Sequence, residues 1–273
     1  MIERLIPSTK ESLSVIGLGT WQAFDVSSQQ ESDVLNDVIN GMYKAGGKLI
    51  DSSPMYGRAE EVIGTISEAS SIQNKFFYAT KVWTQGREGG IRQMNDSLRK
   101  LRRSFIDLMQ IHNLVDWKTH MATLRQWKEE GKVRYIGITH YMDSMHEDLE
   151  KIIRSEFVDF VQFNYSITSR NAEKRLLPAA ADHGVATLVN RPFGEGSLFA
   201  RVKGKNLPAW TKDQGIDNWA SFFLKFIISH PAVTCVIPGT GNPDHVVDNM
   251  KAGQGSLPDD AIRERMAAFV KNL

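Results

Sequence analysis

The sequence predicts an α/β fold, a (β/α)8 TIM barrel with a short N-terminal strand or hairpin capping the barrel bottom. Three observations support this prediction. Short β-branched or apolar runs alternate with longer stretches of helical periodicity, giving about eight strands in 273 residues. Each connection is long enough for a crossover helix, which makes the strands parallel. No low-complexity linker divides the chain, so we expect a single domain over residues 1–273.

The predicted strands are short apolar runs spread along the whole chain. They are Ser14 to Leu18, Lys48 to Ser52, Phe76 to Val82, Ile106 to Ile111, Val133 to Ile138, Phe157 to Phe163, Val185 to Val189 and Thr234 to Ile237. The stretch before Leu13 is short and strand-like, and it predicts the cap of the barrel bottom. Arg201 to Gly215 is predicted as one long βα loop.

The connecting helices are indicated by apolar stripes at spacings of three and four residues. The stripes are Val34, Leu35, Val38, Ile39 and Met42; Ile91, Met94, Leu98 and Leu101; and Trp219, Phe222, Phe223, Phe226 and Ile227. Strands alternating with such helices are typical of a barrel whose active site lies at the C-terminal ends of the strands.

Charge and composition limit the partners of the protein. With 33 Lys+Arg against 32 Asp+Glu, the net charge of +1 provides no field for nucleic acid or an anionic membrane. The most apolar stretch, Phe222 to Ile228, is broken by Lys225 and is far shorter than the ~20 residues that span a bilayer. The start, MIERLIPSTK, lacks the apolar core of a signal peptide, and Cys235 is the only cysteine. We therefore expect a cytoplasmic monomer or small homo-oligomer with a small-molecule partner.

Four polar residues stand where predicted strands end or just beyond. Strand two ends in Asp51, strand three in Lys81 and strand four in His112, and Tyr56 follows strand two. Singly, each has a structural alternative: a helix N-cap, a strand-end lysine reaching to solvent, a hydrogen-bonded core histidine and a packed loop aromatic. Together they predict a shared site, because the C-terminal ends of successive barrel strands face one space.

The chemistry of these four residues suits carbonyl reduction. A phenol with an ordinary pKa near 10 gives up its proton more readily beside an ammonium, so Lys81 would assist Tyr56. Asp51 would hold Lys81 in a partly desolvated pocket, and His112 would orient the substrate oxygen. Because no side chain donates hydride, a nicotinamide cofactor is required.

Several segments carry a resemblance to a known family. They are Asp51-Ser-Ser-Pro-Met-Tyr56-Gly57-Arg-Ala-Glu60-Glu61-Val-Ile-Gly64, Ser97 to Leu101 with Ile106 to His112, Ala79-Thr80-Lys81-Val82, and Gly17-Leu18-Gly19-Thr20-Trp21. On these motifs the sequence resembles an aldo-keto reductase over essentially its whole length. The resemblance implies an NAD(P)H-dependent oxidoreductase that acts on C=O groups, with the catalytic tetrad Asp51, Tyr56, Lys81 and His112 and with Tyr56 as general acid.

The same resemblance implies the cofactor-binding residues. Thr139 and His140 correspond to the pair that holds the nicotinamide carboxamide, with His140 in place of asparagine, and Gln162 corresponds to its glutamine partner. The loop Asn190-Arg191-Pro192-Phe193-Gly194-Glu195-Gly196-Ser197-Leu198 resembles the loop that flanks the pyrophosphate. The remaining implied contacts are Gly19, Thr20, Trp21 and Asp51 near the first strands, and Pro238, Gly239, Thr240, His245, Asp248 and Asn249 after the last.

Cofactor preference depends on the segment after strand eight. Asn242 followed by Pro243 predicts a helix start, and a helix N-terminus favours an anionic group. Gly239 and His245 stand where the family often has a lysine and an arginine that grip the 2′-phosphate. Their absence weakens the case for a strict NADPH preference, but backbone amides, Thr240 and His245 remain as groups for a 2′-phosphate. The sequence therefore favours NADPH, with NADH as the alternative, and it shows no metal-binding spacing.

Two other functions fit parts of the sequence. Gly17-Leu-Gly19 after a strand, with Asp51 ending the next, fits a Rossmann dehydrogenase, but Gln22 stands where the third glycine belongs. The other is a cofactor-binding sensor or subunit without turnover, against which the filled tetrad argues. For the substrate pocket we expect an open, shallow site with walls drawn from Trp21, Phe24, Met55, Trp83, Trp117 and Trp210.

Overall fold

The computed structural model describes all residues, 1–273, and its centre is a parallel sheet wound into a barrel. The hairpin strands are β1 (Glu3–Leu5) and β2 (Ser12–Ser14). The barrel strands are β3 (Leu18–Gly19), β4 (Leu49–Asp51), β5 (Phe77–Val82), β6 (Ile106–His112), β7 (Val133–Thr139), β8 (Phe160–Asn164), β9 (Ala186–Asn190) and β10 (Cys235–Val236). The helices are α1 (Gln29–Lys44), α2 (Ala59–Ala69), α3 (Arg87–Lys100), α4 (Trp117–Glu129), α5 (His146–Ser155), α6 (Leu176–Asp182), α7 (Ser197–Val202), α8 (Trp219–Ile228), α9 (Pro243–Lys251) and α10 (Asp260–Lys271).

The predicted (β/α)8 architecture is confirmed. The strands β3 to β10 pair in parallel in chain order, each with the next along the chain. Two isolated bridges, Ile16 with Val236 and Gly19 with Gly239, join the first strand region to the last and nearly close the barrel. This order excludes the Rossmann alternative, because a doubly wound sheet is open and reverses its strand order.

Two element predictions needed correction. The predicted first strand, Ser14 to Leu18, is divided in the structure: Ser14 ends the hairpin strand β2, whereas the barrel strand β3 begins only at Leu18. The change of partner, from antiparallel β1 to parallel β4, explains the division. The predicted loop from Arg201 to Gly215 contains the end of α7 and a 3-10 segment, Ala209–Gln214.

The N-terminal hairpin lies at the bottom of the barrel, as predicted. Its side chains Ile6 and Leu13 are buried and pack with the residues that fill the barrel interior, among them Phe77, Tyr135 and Phe160. The Arg4 guanidinium also donates to backbone carbonyls at the C-terminal end of α8 and just beyond it, at 2.6 Å to Ile228 O and 2.8 Å to His230 O. The hairpin therefore closes one end and leaves the C-terminal end of the strands for a site.

The predicted helical stripes form the buried faces of α1, α3 and α8, with Val34 as an exception because it is 41% exposed. Helix α1 begins with a capping box in which Ser28 Oγ accepts from Glu31 N and the Glu31 carboxylate accepts from Ser28 N. Gly64 allows α2 to approach the end of α3 closely, because a Cβ atom there would collide with the carbonyl of Lys100. None of the helices is both long and apolar enough to cross a bilayer.

Candidate active site

A cavity of about 660 Å³ opens at the C-terminal ends of the barrel strands. Most of the predicted site residues line it. They are Gly19, Thr20, Trp21, Asp51, Met55, Tyr56, His112, Thr139, Gln162, Asn190, Arg191, Pro192, Phe193, Gly196 and Gly239. The residues come from seven of the eight barrel strands or from the loops that follow them. The barrel topology therefore brings them together around one cavity.

Lys81 forms a buried ion pair with Asp51, which lines the cavity floor. Lys81 Nζ lies 2.6 Å from Asp51 Oδ2 and 2.7 Å from the carbonyl oxygen of Ser52, and the lysine side chain is fully buried. Burial disfavours the ammonium, but the charge of Asp51 and the phenol of Tyr56 outweigh that cost and raise the pKa of Lys81. The site therefore holds a permanent positive charge just below the cavity.

The second oxygen of Asp51 is held by two amides. Gln110 Nε2 donates to Asp51 Oδ1 at 3.0 Å, and Gln162 Nε2 donates to the same oxygen at 2.9 Å. The strand register explains the position of Gln110, because Gln110 pairs with Lys81 on the neighbouring strand. With these amides and Lys81, the buried carboxylate has a donor on each oxygen, which offsets its desolvation.

Tyr56 lines the cavity beside the ion pair. Lys81 Nζ is 5.0 Å from the centroid of the Tyr56 ring, and the phenolic proton has no acceptor within the chain. Burial raises the pKa of Tyr56, and the nearby charge of Lys81 opposes that rise. At neutral pH the phenol therefore keeps its proton, which remains available to a group in the cavity.

His112 forms the adjoining wall. Its ring is 5.9 Å from that of Tyr56 in an edge-on arrangement, and its Nδ1 is 3.0 Å from Ser53 Oγ. Burial, with the positive charge of Lys81 adding to it, lowers the pKa of His112 to about 2. The imidazole is therefore neutral and can serve as a hydrogen-bond donor or acceptor but not as a cation.

The opposite wall offers groups that suit a nicotinamide carboxamide. Thr139, the last residue of β7, pairs with Gln162 in the middle of β8, and both line the cavity. Asn190 Nδ2 donates to Gln162 Oε1 at 3.3 Å, whereas Asn190 Oδ1 is buried without a hydrogen-bond partner. Because a buried acceptor without a donor is costly, this oxygen marks a place for an N–H group. The donor and acceptor set therefore fits an amide ligand.

Arg191 follows Asn190 in the loop after β9. Its guanidinium lies 4.1 Å from the ring centroid of Tyr141 and pairs with Glu195 at 2.7 Å. Arg191, Gly194, Glu195 and Gly196 all have positive φ angles, which fold the loop tightly against the cavity. A planar guanidinium beside exposed backbone is suited to a phosphate or a carboxylate.

The remaining predicted residues lie outside the cavity wall, and their roles stay predictions. Phe24 is fully buried in the core, and Trp117 begins α4 and packs on the core. Trp83 is 6.3 Å from the His112 ring, but its indole is 41% exposed beyond the cavity lining, and Trp210 packs on Phe222. The others are Lys81, which lies below the floor, and His140, Gly194, Leu198, Pro238, Thr240, His245, Asp248 and Asn249.

His140 lies just beyond the end of a strand, but its side chain does not line the cavity. It follows Thr139, and successive residues of an extended segment point to opposite sides. The His140 ring stacks on Tyr141 with centroids 5.2 Å apart, and its Nδ1 accepts from Met142 N at 3.2 Å. Tyr141 instead reaches the cavity.

Helix α9 begins as predicted, with Asn242 as N-cap and Pro243 in the first turn. Asn242 Oδ1 accepts from Asp244 N at 2.8 Å and from His245 N at 3.3 Å. Thr240 Oγ1 accepts from Asn242 N at 3.1 Å. The cap thus satisfies part of the helix end, and the exposed His245 side chain remains beside it.

Nine residues of the site were not predicted as site residues from the sequence: Gln22, Ala23, Ser53, Gln110, Asn113, Tyr141, Glu195, Phe199 and Ile237. Gln110 and Ser53 could have been suspected from the sequence, because both are polar and close to a predicted site residue. Gln110 lies two residues before His112, and Ser53 lies two residues after Asp51. Tyr141, Glu195 and Phe199 depend on how the loops fold, for which the sequence gives no comparable signal.

The chain is similar to known proteins in both sequence and fold. The model of the Aldo/keto reductase family matches residues 15–268. Methylglyoxal reductase YeaE of Escherichia coli (strain K12) is 25% identical over 87% of this chain and 84% of that protein. The NADH-specific methylglyoxal reductase of the same organism is 24% identical over 92% of this chain and 93% of its own length.

Solved structures share the fold. A crystal structure of an aldo-keto reductase from Klebsiella pneumoniae in complex with NADPH has a TM-score of 0.84 at 21% identity, covering 99% of this chain and 96% of that one. A second, from the same organism, in complex with NADP and acetate, has a TM-score of 0.81 at 22% identity, covering 94% and 93%. At these identities the likeness concerns the barrel fold.

Proposed function

The chain belongs to the aldo/keto reductase family, and from that premise we propose that it reduces a small aldehyde or ketone to an alcohol with Tyr56 as the general acid. The family assigns it NAD(P)H-dependent oxidoreductase chemistry on C=O groups. The observation that carries the proposal for the residues is the arrangement at the cavity floor. There the buried Lys81 ammonium, 2.6 Å from Asp51, lies beside a phenol whose proton has no acceptor within the chain.

A bound nicotinamide supplies the hydride for the carbonyl carbon. Tyr56 gives its phenolic proton to the carbonyl oxygen as negative charge develops there, which completes the alcohol O–H bond. Lys81 stabilises the phenolate that remains, Asp51 keeps Lys81 in place, and solvent returns the proton to Tyr56. The His112 side chain orients the carbonyl oxygen by a hydrogen bond.

For the cofactor we propose three sets of contacts along the cavity. Thr139, Gln162 and the unpaired Oδ1 of Asn190 would hold the carboxamide. Arg191 and the loop of Pro192 to Leu198 would flank the pyrophosphate. Thr240, which precedes α9, and His245, Asp248 and Asn249 within α9 would receive the adenosine end.

We propose NADPH as the preferred cofactor and NADH as the alternative. Thr240 and the exposed His245, beside the start of α9, are the groups that this chain offers to a 2′-phosphate, and the solved relatives bind NADPH and NADP. One relative is named as NADH-specific, and here Gly239 leaves no lysine at the adenosine end. Parallel fluorescence titrations with NADPH and NADH test this preference. Tighter binding of NADH would reverse it.

The reductase proposal is tested by mixing the purified protein with NADPH and a panel of small carbonyl compounds that includes methylglyoxal, on which the named relatives act. We expect the near-ultraviolet absorbance of NADPH to fall with at least one compound. Tyr56→Phe should lower kcat by about a thousandfold while NADPH still binds, because only the transferable proton is removed. Tight cofactor binding without turnover of any compound would instead indicate a cofactor-binding sensor.

A further inference from the structure

His112 has one hydrogen-bond partner in the chain, the hydroxyl of Ser53. Ser53 Oγ lies 3.0 Å from His112 Nδ1, and both side chains are buried, with Ser53 fully inaccessible. The other ring nitrogen, Nε2, has no partner within the chain, and His112 lines the cavity. The state of Nδ1 therefore determines what Nε2 presents to a ligand.

A count of donors and acceptors settles the direction of the Ser53–His112 bond. A hydroxyl has one proton to donate and two lone pairs. The backbone N–H of Met55 donates to Ser53 Oγ at 3.3 Å, which uses one lone pair. If His112 Nδ1–H also donated, the serine proton would be buried with no acceptor, because Ser53 Oγ has no other partner. Leaving a buried polar proton unpaired is costly.

The favourable arrangement has the Ser53 hydroxyl donating to Nδ1. The imidazole is neutral, since burial lowers its pKa to about 2, so it carries one proton in total. With Nδ1 acting as acceptor, that proton is on Nε2. The imidazole then offers an N–H group to the cavity, beside the phenol of Tyr56.

We propose that Ser53 is a positioning residue that fixes His112 as the Nε2–H tautomer and so makes it a hydrogen-bond donor to the substrate oxygen. This inference rests on the proposed reductase function for its kinetic consequence, although the tautomer itself does not depend on it. Ser53 also accepts from the backbone N–H of Tyr56 through its carbonyl at 3.0 Å. One residue thus links the proton donor and the orienting histidine.

The direct test is nitrogen NMR of protein labelled with ¹⁵N-histidine. In the wild type the His112 signals should show a protonated Nε2 and an unprotonated Nδ1 at neutral pH. Ser53→Ala should shift the Nδ1 resonance and bring in the Nδ1–H form, whereas Ser53→Thr, which keeps the hydroxyl, should restore the wild-type pattern. Observation of the Nδ1–H tautomer in the wild type overturns the proposal, whether or not the protein reduces carbonyls.

The kinetic test uses Ser14 as its control, because this serine makes the same kinds of hydrogen bond at the other end of the barrel. Ser14 is buried, donates to Ile16 O at 3.0 Å and accepts from Lys48 N at 3.0 Å. Ser53→Ala should lower kcat about tenfold, the equivalent of one lost hydrogen bond of about 1.4 kcal/mol, with little change in the affinity for NADPH. Ser14→Ala should leave kcat unchanged.

The outcomes separate positioning from general stability. Reduced kcat in Ser53→Ala, with recovery in Ser53→Thr and an altered tautomer, supports the proposal. An unchanged kcat and an unchanged tautomer in Ser53→Ala overturn it. An equal loss of kcat in Ser14→Ala also overturns it, because a remote loss of stability would then account for the effect. Absence of turnover in the wild type would reject the reductase function and leave the NMR result to decide on the tautomer.

Discussion

The two ends of the barrel carry the same kinds of side chain in different arrangements. At the open end, the carboxylate of Asp51 holds Lys81, and Lys81 lies beside Tyr56. At the hairpin end, Arg134 pairs with Glu11 at 2.5 Å and with Asp107 at 2.7 Å, and Tyr135 lies beside them. Each end thus combines a carboxylate, a cation and a phenol.

The difference lies in what receives the phenolic proton. Tyr135 donates to Glu11 Oε2 at 2.5 Å, and burial together with that bond raises the pKa of Tyr135 to about 12. Tyr56 has a cation as its nearest charged neighbour and no acceptor for its proton. A phenol bonded to a carboxylate stabilises the fold, whereas one beside an ammonium that faces a cavity can deliver its proton. Residue types alone therefore do not identify an active site.

The largest expected effect comes from removing the cation at each end. Lys81→Met should lower kcat by about a thousandfold, because the phenolate would lose its stabilising charge. It should also lower the free energy of unfolding by about 3–5 kcal/mol, because Asp51 would be left buried and unpaired. Steady-state kinetics and urea unfolding measure both. Arg134→Met is the matched control, for which we expect unchanged kcat and a loss of about 1–2 kcal/mol, since its side chain is 41% exposed.

If Arg134→Met lowered kcat as much as Lys81→Met, the distinction between the two ends would not hold. Should Lys81→Met fail to fold, Lys81→Arg retains the charge. It should fold, with kcat reduced by a smaller factor because the larger guanidinium displaces Tyr56.

A smaller effect is expected in the pH dependence of stability. Burial lowers the pKa of His112 to about 2, and it also lowers the pKa values of His140 and His146. Because these pKa values are lower in the folded protein than in the unfolded chain, the unfolded chain binds more protons below about pH 6.5, so stability is complete above that pH and falls as the pH decreases below it. For His112 the loss at pH 5 is about 2 kcal/mol.

Urea unfolding at pH 7 and pH 5 measures this acid sensitivity. His112→Asn removes one titrating group of the open end and should reduce the loss between the two pH values. The cluster of Glu11, Asp107, Arg134 and Tyr135 at the hairpin end contains no histidine. The same loss in wild type and His112→Asn would show that the sensitivity has another origin. For kcat/KM of the wild type we expect no inflection near pH 6.5 from His112.

The smallest effect concerns the structural phenol. Tyr135→Phe removes the hydrogen bonds with Glu11 and with Thr9 Oγ1, the latter at 2.7 Å. Unfolding free energy should fall by about 1 kcal/mol with kcat unchanged, as measured by urea unfolding and steady-state kinetics. Tyr56→Phe should show the reverse pattern, with a large loss of kcat and little change in the free energy of unfolding. Loss of turnover in Tyr135→Phe would mean that the two ends are coupled.

The barrel and many of the residues around the cavity could be predicted from the sequence, and the reason is physical. The repeating strand and helix pattern determines the topology, and the topology brings the ends of β4, β5 and β6 together. The side chains of Asp51, Lys81 and His112 therefore come together even if a predicted strand boundary is wrong by a residue or two. Tyr56 follows within a short loop and has little freedom to lie elsewhere.

The unpredicted parts depend on side-chain rotamers and loop paths. The bond between Ser53 and His112 requires a particular χ angle, and the stacking of Arg191 on Tyr141 requires a loop with several positive φ angles. Phe24 was expected at the pocket wall, but it turns into the core, where an apolar ring gains more by complete burial. Apolar character alone does not distinguish a pocket wall from the core beneath it.

The position of the single cysteine has a consequence for chemical durability. Aldehydes and dicarbonyl compounds are electrophiles that form adducts with thiolates, and the thiolate is the reactive form. Cys235 is fully buried in the barrel interior, and burial raises the pKa of its thiol. The folded protein therefore presents no ionised thiol to the compounds it handles. A reductase built in this way is protected from inactivation by its own substrates at cysteine.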